Sequence, residues 1–197
     1  MVRIGALLYE RRYVVAAEGN LSVRLGGDRF LVTPSGTCKG WLEIGDLLEI
    51  DGEARTLATD RRASSEWRLH REIYRARPEV GAVCHAHPPY ATACAAAGRP
   101  LDARVLTETA TMLGTVPLAR AAVPGTDDVV DSVRDLVPGA AALLLANHGV
   151  VAWGRDLRDA YFRLETVERL AEVTILAGLA GGVQALSPDL LRRLEDT

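Results

Sequence analysis

A short apolar segment that ends in two prolines is the feature that most constrains the fold of this chain. Residues 79–89 read EVGAVCHAHPP, and the run up to His87 fits a buried β-strand that the two prolines bring to an end. Two histidines, His85 and His87, stand at the end of this strand, although only 4 histidines occur among the 197 residues. The segment therefore predicts a sheet with a candidate site at the edge where this strand ends.

The rest of the chain shows strand and helix patterns in an irregular order. Strand patterns cover residues 20–25, 29–36, 46–51, 114–120, 141–147 and 149–154, and the turn at residues 26–28 joins the first two in a hairpin. Helical patterns cover residues 3–17, 67–76, 90–98, 129–137 and 157–180, with a short helix after Ser187-Pro188. Because strands and helices do not alternate strictly, we expect a layered α/β domain with a mixed or largely antiparallel sheet. No repeat or linker interrupts residues 1–197, which predicts a single domain.

The composition narrows the class of partner and the cell compartment. Hydrophobic residues make up 48% and charged residues 25%, as in ordinary globular domains, and a net charge of −3 leaves no basic surface for nucleic acid. No stretch approaches the roughly 20 uninterrupted apolar residues of a membrane span, and arginines interrupt the N-terminal apolar residues, unlike in a signal peptide. Cys38, Cys84 and Cys94 are odd in number, which predicts reduced thiols in a cytoplasmic protein.

The chemistry of His85 and His87 points to a metal ion. Side chains two residues apart on a strand lie on one face, about 6.5–7 Å apart along the chain, so both imidazoles can reach one Zn²⁺ at about 2.0–2.1 Å. His148 follows the apolar residues 141–147 and precedes Gly149, which places a third histidine at a strand end. Three histidines fit a catalytic zinc site with an open position. The alternatives are surface histidines on an exposed strand and, for His148, a hydrogen-bonded turn residue.

Glu66 is the candidate for proton transfer. It stands in the first turn of the predicted helix that continues over residues 67–76, where the helix dipole favours an ionised carboxylate. A metal ion could hold this carboxylate and release it as a general base when substrate arrives. The alternative is a glutamate that only stabilises the start of the helix. His70, in the same helix among arginines and leucine, is assigned a structural or surface position.

Three turns of small residues could together bind an anion. Their sequences are Gly19-Asn20-Leu21-Ser22, Thr33-Pro34-Ser35-Gly36 and Ser64-Ser65. Each offers backbone N–H groups with a hydroxyl or an amide, and one lies at a helix N-terminus, which is how proteins hold a phosphate without lysine. Lys39 is the only lysine in the chain. The turns predict an anionic small molecule when taken together, whereas any one of them alone is only a turn.

Six motifs in order give the chain a resemblance to a known family. The segments EGNLSVR, VTPSG, SSEWRLH, VCHAHPPYATA, PGTDD and LLLANHGVVAWG resemble those of the class II aldolase/adducin family, whose best-known enzymes are L-fuculose-phosphate aldolases. The resemblance covers about residues 5–180. It implies a three-layer α/β/α sandwich around a mostly antiparallel sheet, and a homotetramer with active sites at the subunit interfaces.

The resemblance also implies roles for individual residues. His85, His87 and His148 match the zinc ligands of the family, and Glu66 matches its catalytic acid/base, which can also contact the metal. The residues that match the phosphate-binding positions are Asn20, Ser35, Gly36, Ser64 and Ser65. The implied reaction is the zinc-dependent cleavage of a phosphorylated ketose, through a metal-stabilised enediolate, to dihydroxyacetone phosphate and an aldehyde. Other divalent ions suit the same ligands, and the partner is a small phosphorylated sugar or sugar acid.

One position departs from the family pattern and leaves other reactions open. The family tyrosine that a neighbouring subunit supplies to protonate the leaving aldehyde is matched here by Leu106, with Glu108 two residues further on as an alternative donor. A sugar-phosphate dehydratase, a decarboxylase and a 4-epimerase use the same enediolate chemistry, although Glu66 disfavours the epimerase, which carries aspartate there. Lys39, next to Gly40 in a predicted turn, gives little support to a Schiff-base aldolase. An adducin-like structural role is the non-enzymatic alternative.

Overall fold

The computed structural model describes residues 1–56 and 61–195. The helices are α1 (Val2–Glu10), α2 (Trp67–Ala76), α3 (Pro89–Ala96), α4 (Thr107–Leu113), α5 (Asp127–Val133), α6 (Leu157–Leu179) and α7 (Pro188–Glu195). The strands are β1 (Asn20–Gly26), β2 (Arg29–Val32), β3 (Leu48–Asp51), β4 (Ala82–Ala86), β5 (Leu101–Asp102), β6 (Thr115–Val116), β7 (Leu118–Ala119), β8 (Ala142–Leu145) and β9 (Gly149–Gly154). Short 3-10 helices cover Lys39–Trp41, Ile44–Asp46, Ala103–Val105 and Val137–Gly139.

Seven strands form the central sheet, in the order β3-β2-β1-β4-β9-β8-β7. Neighbouring strands pair antiparallel except β7 and β8, which run parallel, so the expected mostly antiparallel sheet is confirmed. β4, which carries the histidine pair, lies in the middle between β1 and β9. Its end is therefore enclosed by the ends of two neighbouring strands.

Alternating side chains give the sheet a hydrophobic core on each face. Along β4, Cys84 packs into one core with α1, α3, α4 and α6, whereas Val83 packs into the other with α2 and α5. Val150 and Val151 on β9 divide between the two cores in the same way. Such alternation is the direct result of the two-residue period of a strand that is buried on both faces. The expected three-layer α/β/α sandwich is confirmed.

Several predicted elements differ in extent from the observed ones. The helix predicted over residues 3–17 ends at Glu10, because Arg12 and Ala16 adopt left-handed φ angles of 59° and 51°. The strand predicted over 114–120 is split at Pro117, which lacks the N–H that a continuous strand needs, so β6 pairs with β5 and β7 with β8. The sequence had given no element to residues 101–113, where the structure has β5, a 3-10 helix and α4.

The cysteines and the helix lengths bear on the expectations from composition. Cys38, Cys84 and Cys94 are all unpaired, and the last two are buried. Within the described ranges, no helix is both long and apolar enough to cross a membrane.

Candidate metal centre and active site

His85 reaches the site from inside the sheet. It is fully buried on β4, where its backbone lies opposite Asn20 of β1 and Val151 of β9. Its Nδ1 donates a hydrogen bond of 2.8 Å to the carbonyl oxygen of Val150. This bond fixes the proton on Nδ1, and it leaves the lone pair of Nε2 facing the site.

His87 is oriented by a carboxylate that sequence reasoning missed. Its Nδ1 lies 3.2 Å from Oε2 of Glu18, and the same oxygen accepts a hydrogen bond of 3.1 Å from the backbone N–H of Val15. The Nδ1 proton is therefore directed to Glu18, and Nε2 stays free as a ligand. The feature that identifies Glu18 is the register of β1 on β4. Asn20 lies opposite His85 in this pairing, so residue 18 falls beside residue 87.

His148 lies in the tight turn between β8 and β9. The turn closes with a hydrogen bond of 3.0 Å from the N–H of His148 to the carbonyl of Leu145, and Asn147 takes a left-handed φ of 58°, which asparagine tolerates. Gly149 follows because a Cβ there would lie 2.5 Å from Cδ2 of His87 and 2.6 Å from the carbonyl oxygen of Ala86. The turn thus brings the third imidazole beside the first two.

Glu66 faces the histidines instead of stabilising its helix. It stands immediately before α2, and its carboxylate accepts no hydrogen bond from the first turn. Its Oε2 accepts a hydrogen bond of 2.7 Å from Nδ2 of Asn20 and lies 3.4 Å from Nε2 of His85. Its Oε1 lies 3.4 Å from Nε2 of His148. The alternative of a glutamate that only stabilises the start of the helix finds no support, and the carboxylate lies with the histidine cluster.

The distances between these atoms suit a divalent metal ion. Nε2 of His85 and Nε2 of His87 are 3.2 Å apart, and the ligand atoms of His85, His87 and His148 all lie within 4.8 Å of one another. Ligands placed about 2.0–2.1 Å from a tetrahedral Zn²⁺ are about 3.3–3.4 Å from each other, close to the 3.2 Å between Nε2 of His85 and Nε2 of His87. With both Nδ1 protons directed away, the two Nε2 atoms present only lone pairs to each other, which a cation between them would relieve. The residues therefore fit a metal ion.

The charge states of the site agree with this arrangement. Burial lowers the pKa of His85 to about 4 and also lowers that of His148, so both imidazoles are neutral near pH 7. Burial acts to raise the pKa of Glu66, but His85, His148 and the hydrogen bond from Asn20 outweigh it, and the net shift is downward. The cluster therefore joins the neutral imidazoles of His85 and His148 with the carboxylate of Glu66, which is a ligand set for a cation.

The three small-residue turns lie side by side. Pro34 pairs with Ala63 in an isolated bridge, and the N–H of Ser35 donates a hydrogen bond of 2.9 Å to the carbonyl of Arg62. Ser64 accepts a hydrogen bond of 3.3 Å from the backbone N–H of Glu66, which links the third turn to the start of α2. The residues with exposed positions in these turns are Ser35, Gly36 and Ser65. Asn20 directs its amide to Glu66 instead of to solvent.

Arginines that sequence reasoning did not single out lie beside these turns. A cleft of about 860 Å³ is lined by Ser64 and Ser65 together with Arg61, Arg62, Arg68 and Arg71. Arg68 pairs with Asp127 and Arg71 with Glu53, whereas the described residues provide no ion pair for Arg62. The cleft therefore offers positive charge next to two serines at the N-terminus of α2.

Leu106, Glu108 and Lys39 make no contribution to the cluster within one chain. Leu106 precedes α4, and the carboxylate of Glu108 accepts a hydrogen bond of 2.9 Å from its neighbour Thr107. Lys39 does not lie in a turn: it begins a 3-10 helix, is 1% exposed and donates to the carbonyl oxygens of Ala17 and Thr37. An enclosed ammonium on two carbonyls has no room for the carbonyl of a substrate.

Comparison with known proteins places the whole arrangement in a family. Residues 1–175 match the family model described as Class II Aldolase and Adducin N-terminal domain. The chain belongs to the class II aldolase/adducin family. It is an enzyme of the class II aldolase superfamily, a group that depends on metal, and its three histidines form a group that could hold the ion.

Curated relatives and solved structures in this family carry several enzyme names. A 3-oxo-tetronate 4-phosphate decarboxylase of Haemophilus influenzae is 36% identical over 88% of this chain and 84% of its own length. A 5-methylthioribulose-1-phosphate/5-deoxyribulose-1-phosphate aldolase of Rhodospirillum rubrum is 40% identical over 78% of this chain and 69% of its own length. A solved L-fuculose 1-phosphate aldolase superimposes with a TM-score of 0.88 at 28% identity, covering 99% of this chain and 92% of its own. The relatives share phosphorylated substrates and differ in reaction.

Proposed function

We propose that this chain is a zinc-dependent aldolase that cleaves a small phosphorylated ketose to dihydroxyacetone phosphate and an aldehyde. The observation that carries the proposal is the carboxylate of Glu66, which Asn20 holds 3.4 Å from the ligand nitrogens of both His85 and His148. A carboxylate in that position can bind the ion in the absence of substrate and act as a base when substrate takes its place.

The residues of the cluster divide the work between binding and proton transfer. His85, His87 and His148 would hold the ion, which when bound supplies a Lewis acid for the substrate carbonyl. In the cleavage direction the bond between C3 and C4 of the ketose breaks, C4 becomes the aldehyde carbon, and the electron pair stays on C3 as an enediolate. Glu66, protonated at this stage, delivers its proton to C3 and so completes dihydroxyacetone phosphate, and in the condensation direction its carboxylate removes the same proton as the base. The C4 hydroxyl proton passes to a second base, for which the neighbouring subunit and Glu108 are the candidates.

We propose that the substrate phosphate binds where the small-residue turns meet. The half-buried Ser64 and the exposed Ser65 line the arginine-lined cleft, and the exposed Ser35 and Gly36 lie in the neighbouring turn, where the hydroxyl of Ser35 offers a further donor. Asn20 stays a predicted phosphate contact by its place at the start of β1, although its Nδ2 already donates to Glu66. Backbone donors at the start of α2 with the nearby guanidinium of Arg62 favour a dianion.

Leu106 supports decarboxylation of an oxo-acid phosphate as a second candidate. Carbon dioxide leaves without a hydroxyl proton, so a leucine in place of the family tyrosine is no handicap to that reaction. The Haemophilus influenzae decarboxylase, at 36% identity, points in the same direction. Dehydration and 4-epimerisation of sugar phosphates complete the alternatives, because both pass through the same type of enediolate.

We further propose a single domain over residues 1–197, a homotetramer and a cytoplasmic location. The family match ends at residue 175, but α6 continues to Leu179, and α7 packs on α4.

Large apolar side chains such as Trp41 (74% exposed) and Ile44 (83% exposed) favour contacts between subunits. Light scattering on the purified protein should give the mass of four 21.2 kDa chains, and a monomer mass would contradict the assembly.

A substrate panel tests the reaction. The zinc-loaded protein is incubated with several ketose 1-phosphates and with a 3-oxo-tetronate 4-phosphate, with and without EDTA, and the products are identified by NMR. Release of dihydroxyacetone phosphate that EDTA abolishes would support the aldolase. Release of carbon dioxide alone would replace it with the decarboxylase, and turnover that survives complete metal removal would contradict both.

Glu66→Gln is the matched variant for this panel. It keeps the size of the side chain and removes the base, so we expect turnover to fall by about 10²–10⁴-fold. Glu49→Gln is the control, because Glu49 lies on β3 and pairs with Arg29 at the surface. Equal activity of the two variants would rule out a proton-transfer role for Glu66.

A further inference from the structure

A buried polar group lies directly beneath Glu66 on the sheet side of α2. His70 is 2% exposed, Ser22 of β1 is 1% exposed and Tyr74 is 4% exposed. Nδ1 of His70 is 2.7 Å from Oγ of Ser22, and the same Oγ is 2.8 Å from the hydroxyl of Tyr74. His70 is four residues after Glu66, so both side chains project from the same side of α2. Proton transfer by Glu66 does not explain why three polar side chains are buried here.

Two buried atoms near this group have no protein partner among the described residues. They are Nε2 of His70 and Oδ1 of Asn20. Both residues line one small cavity of about 10 Å³, together with Ser22, Thr33 and Ser64. That volume holds about one water molecule, and a polar cavity of this size between an unpaired donor and an unpaired acceptor is a site for one ordered water.

The available partners determine which atom donates and which accepts in each hydrogen bond of this buried group. Nδ2 of Asn20 donates to Glu66, so Oδ1 of Asn20 is an acceptor that faces the cavity side. Among the described residues the Tyr74 hydroxyl has Ser22 as its hydrogen-bond partner, so its proton goes to Oγ of Ser22. The Ser22 hydroxyl then donates to Nδ1 of His70, and the His70 proton lies on Nε2. The opposite order would leave the Tyr74 proton buried without an acceptor.

We propose that one bound water joins Nε2–H of His70 to Oδ1 of Asn20, and that His70 is a positioning residue for Glu66. The chain of donors then runs from Tyr74 through Ser22, His70, the water and Asn20 to the carboxylate. Its effect is to hold the Asn20 amide with Nδ2 toward Glu66, because the flipped amide would place an oxygen against the carboxylate. The water site and the tautomer are independent of the reaction, whereas the kinetic effect rests on the proposed function.

The tautomer and the water are tested directly on the zinc-loaded wild-type protein. NMR of protein labelled with ¹⁵N in its histidines should show His70 neutral with its proton on Nε2. A high-resolution crystal structure should show one water within about 2.7–3.2 Å of both Nε2 of His70 and Oδ1 of Asn20. A proton on Nδ1, or a cavity without density in a map that shows other buried waters, would overturn the proposal.

Two variants of equal polarity test the positioning role. His70→Gln keeps an N–H near the position of Nε2, whereas His70→Asn keeps one only near Nδ1. We expect kcat to fall about 10-fold in His70→Asn, with KM and zinc content unchanged, and to be largely restored in His70→Gln. Equal kcat values in the two folded variants would contradict the role.

Tyr74→Phe covers the case in which neither His70 variant folds. It removes one hydroxyl at the far end of the chain and keeps the ring packed on Phe30 at 5.0 Å. The Ser22 hydroxyl then loses its donor, so we expect a fraction of His70 to shift its proton to Nδ1 in the NMR spectrum. An unchanged tautomer of His70 would contradict the proposed chain of donors. The wild type could cleave no substrate of the panel and still show the bound water and the His70 tautomer. That result would contradict the proposed reaction but support the proposed chain of donors.

Discussion

At the scale of single residues, the ligand nitrogens of the cluster are selected by bonds that face away from it. The Nδ1 proton of His85 goes to the Val150 carbonyl, and that of His87 goes to Glu18. A carbonyl on a central strand cannot be changed by mutation of a side chain, but Glu18 can. Glu18 therefore gives experimental access to the orientation of His87 without altering any ligand.

We expect Glu18→Gln to weaken zinc binding by about 10–100-fold, the usual effect of losing a carboxylate partner of a ligand histidine. The amide keeps the size of the side chain but loses the charge that strengthens the hydrogen bond to Nδ1 of His87. Competition with a fluorescent chelator measures the affinity. Glu10→Gln, at the exposed end of α1, is the control. A zinc affinity equal to that of the wild type would contradict the prediction. It would show that the hydrogen bond from the backbone N–H of Val15 is enough to hold the side chain at position 18 in place.

At the scale of elements, the site depends on how closely the ends of β4 and β9 approach. The two strands pair antiparallel through Ala86 and Val150, and the chain turns at Asn147 and His148 directly beyond that pair. Gly149 is the residue at the point of closest approach, since a Cβ there would lie 2.5 Å from the His87 ring. Packing of the strands and placement of the ligands are therefore coupled at one glycine.

We expect Gly149→Ala to lower the free energy of unfolding by about 1–3 kcal/mol, as overpacking of a tight contact does, and to reduce zinc content. Gly178→Ala on α6 is the matched control, because a Cβ there meets nothing within 4 Å. Alanine in a helix interior is favoured over glycine, so the control should gain about 0.5–1 kcal/mol. Urea unfolding measures the free energy of unfolding of both variants. A change of the same sign in the two variants would contradict a close contact at Gly149.

At the scale of the whole molecule, two buried neutral histidines make stability depend on pH. Burial lowers the pKa of His70 to about 3 and that of His85 to about 4, while both lie near 6.5 in the unfolded chain. Between these values the unfolded state binds more protons than the folded state, so the free energy of unfolding falls as the pH falls.

We expect the metal-free protein to lose about 2 kcal/mol per buried histidine between pH 7.5 and pH 5. Urea unfolding in EDTA at the two pH values measures the loss. His70→Gln should remove the contribution of His70, so its loss should be smaller by about 2 kcal/mol. A free energy of unfolding that is equal at both pH values would contradict neutral burial of these histidines. Zinc at saturating concentration should raise the melting temperature at pH 7.5, because it binds only the folded cluster.

The sequence by itself determined the elements whose signals are local. The hairpin of β1 and β2 follows from the glycines at its turn, β4 ends before its prolines, and α2 was predicted over its observed residues. The grouping of His85, His87 and His148 at one site was also predictable, because each histidine stands at the end of a recognisable strand. These features depend on backbone sterics and periodicity within a few residues.

Only the tertiary structure decided which distant side chains meet at these ends. Asn20 contacts Glu66 across 46 residues, and Ser22 contacts His70 across 48, because β1 lies between β4 and β2 under α2. The role of Glu18 follows from the register of β1 on β4, which a slip of one residue would send to the other face. Periodicity identifies the faces of strands and helices, but contacts between faces depend on pairing and packing over the whole domain.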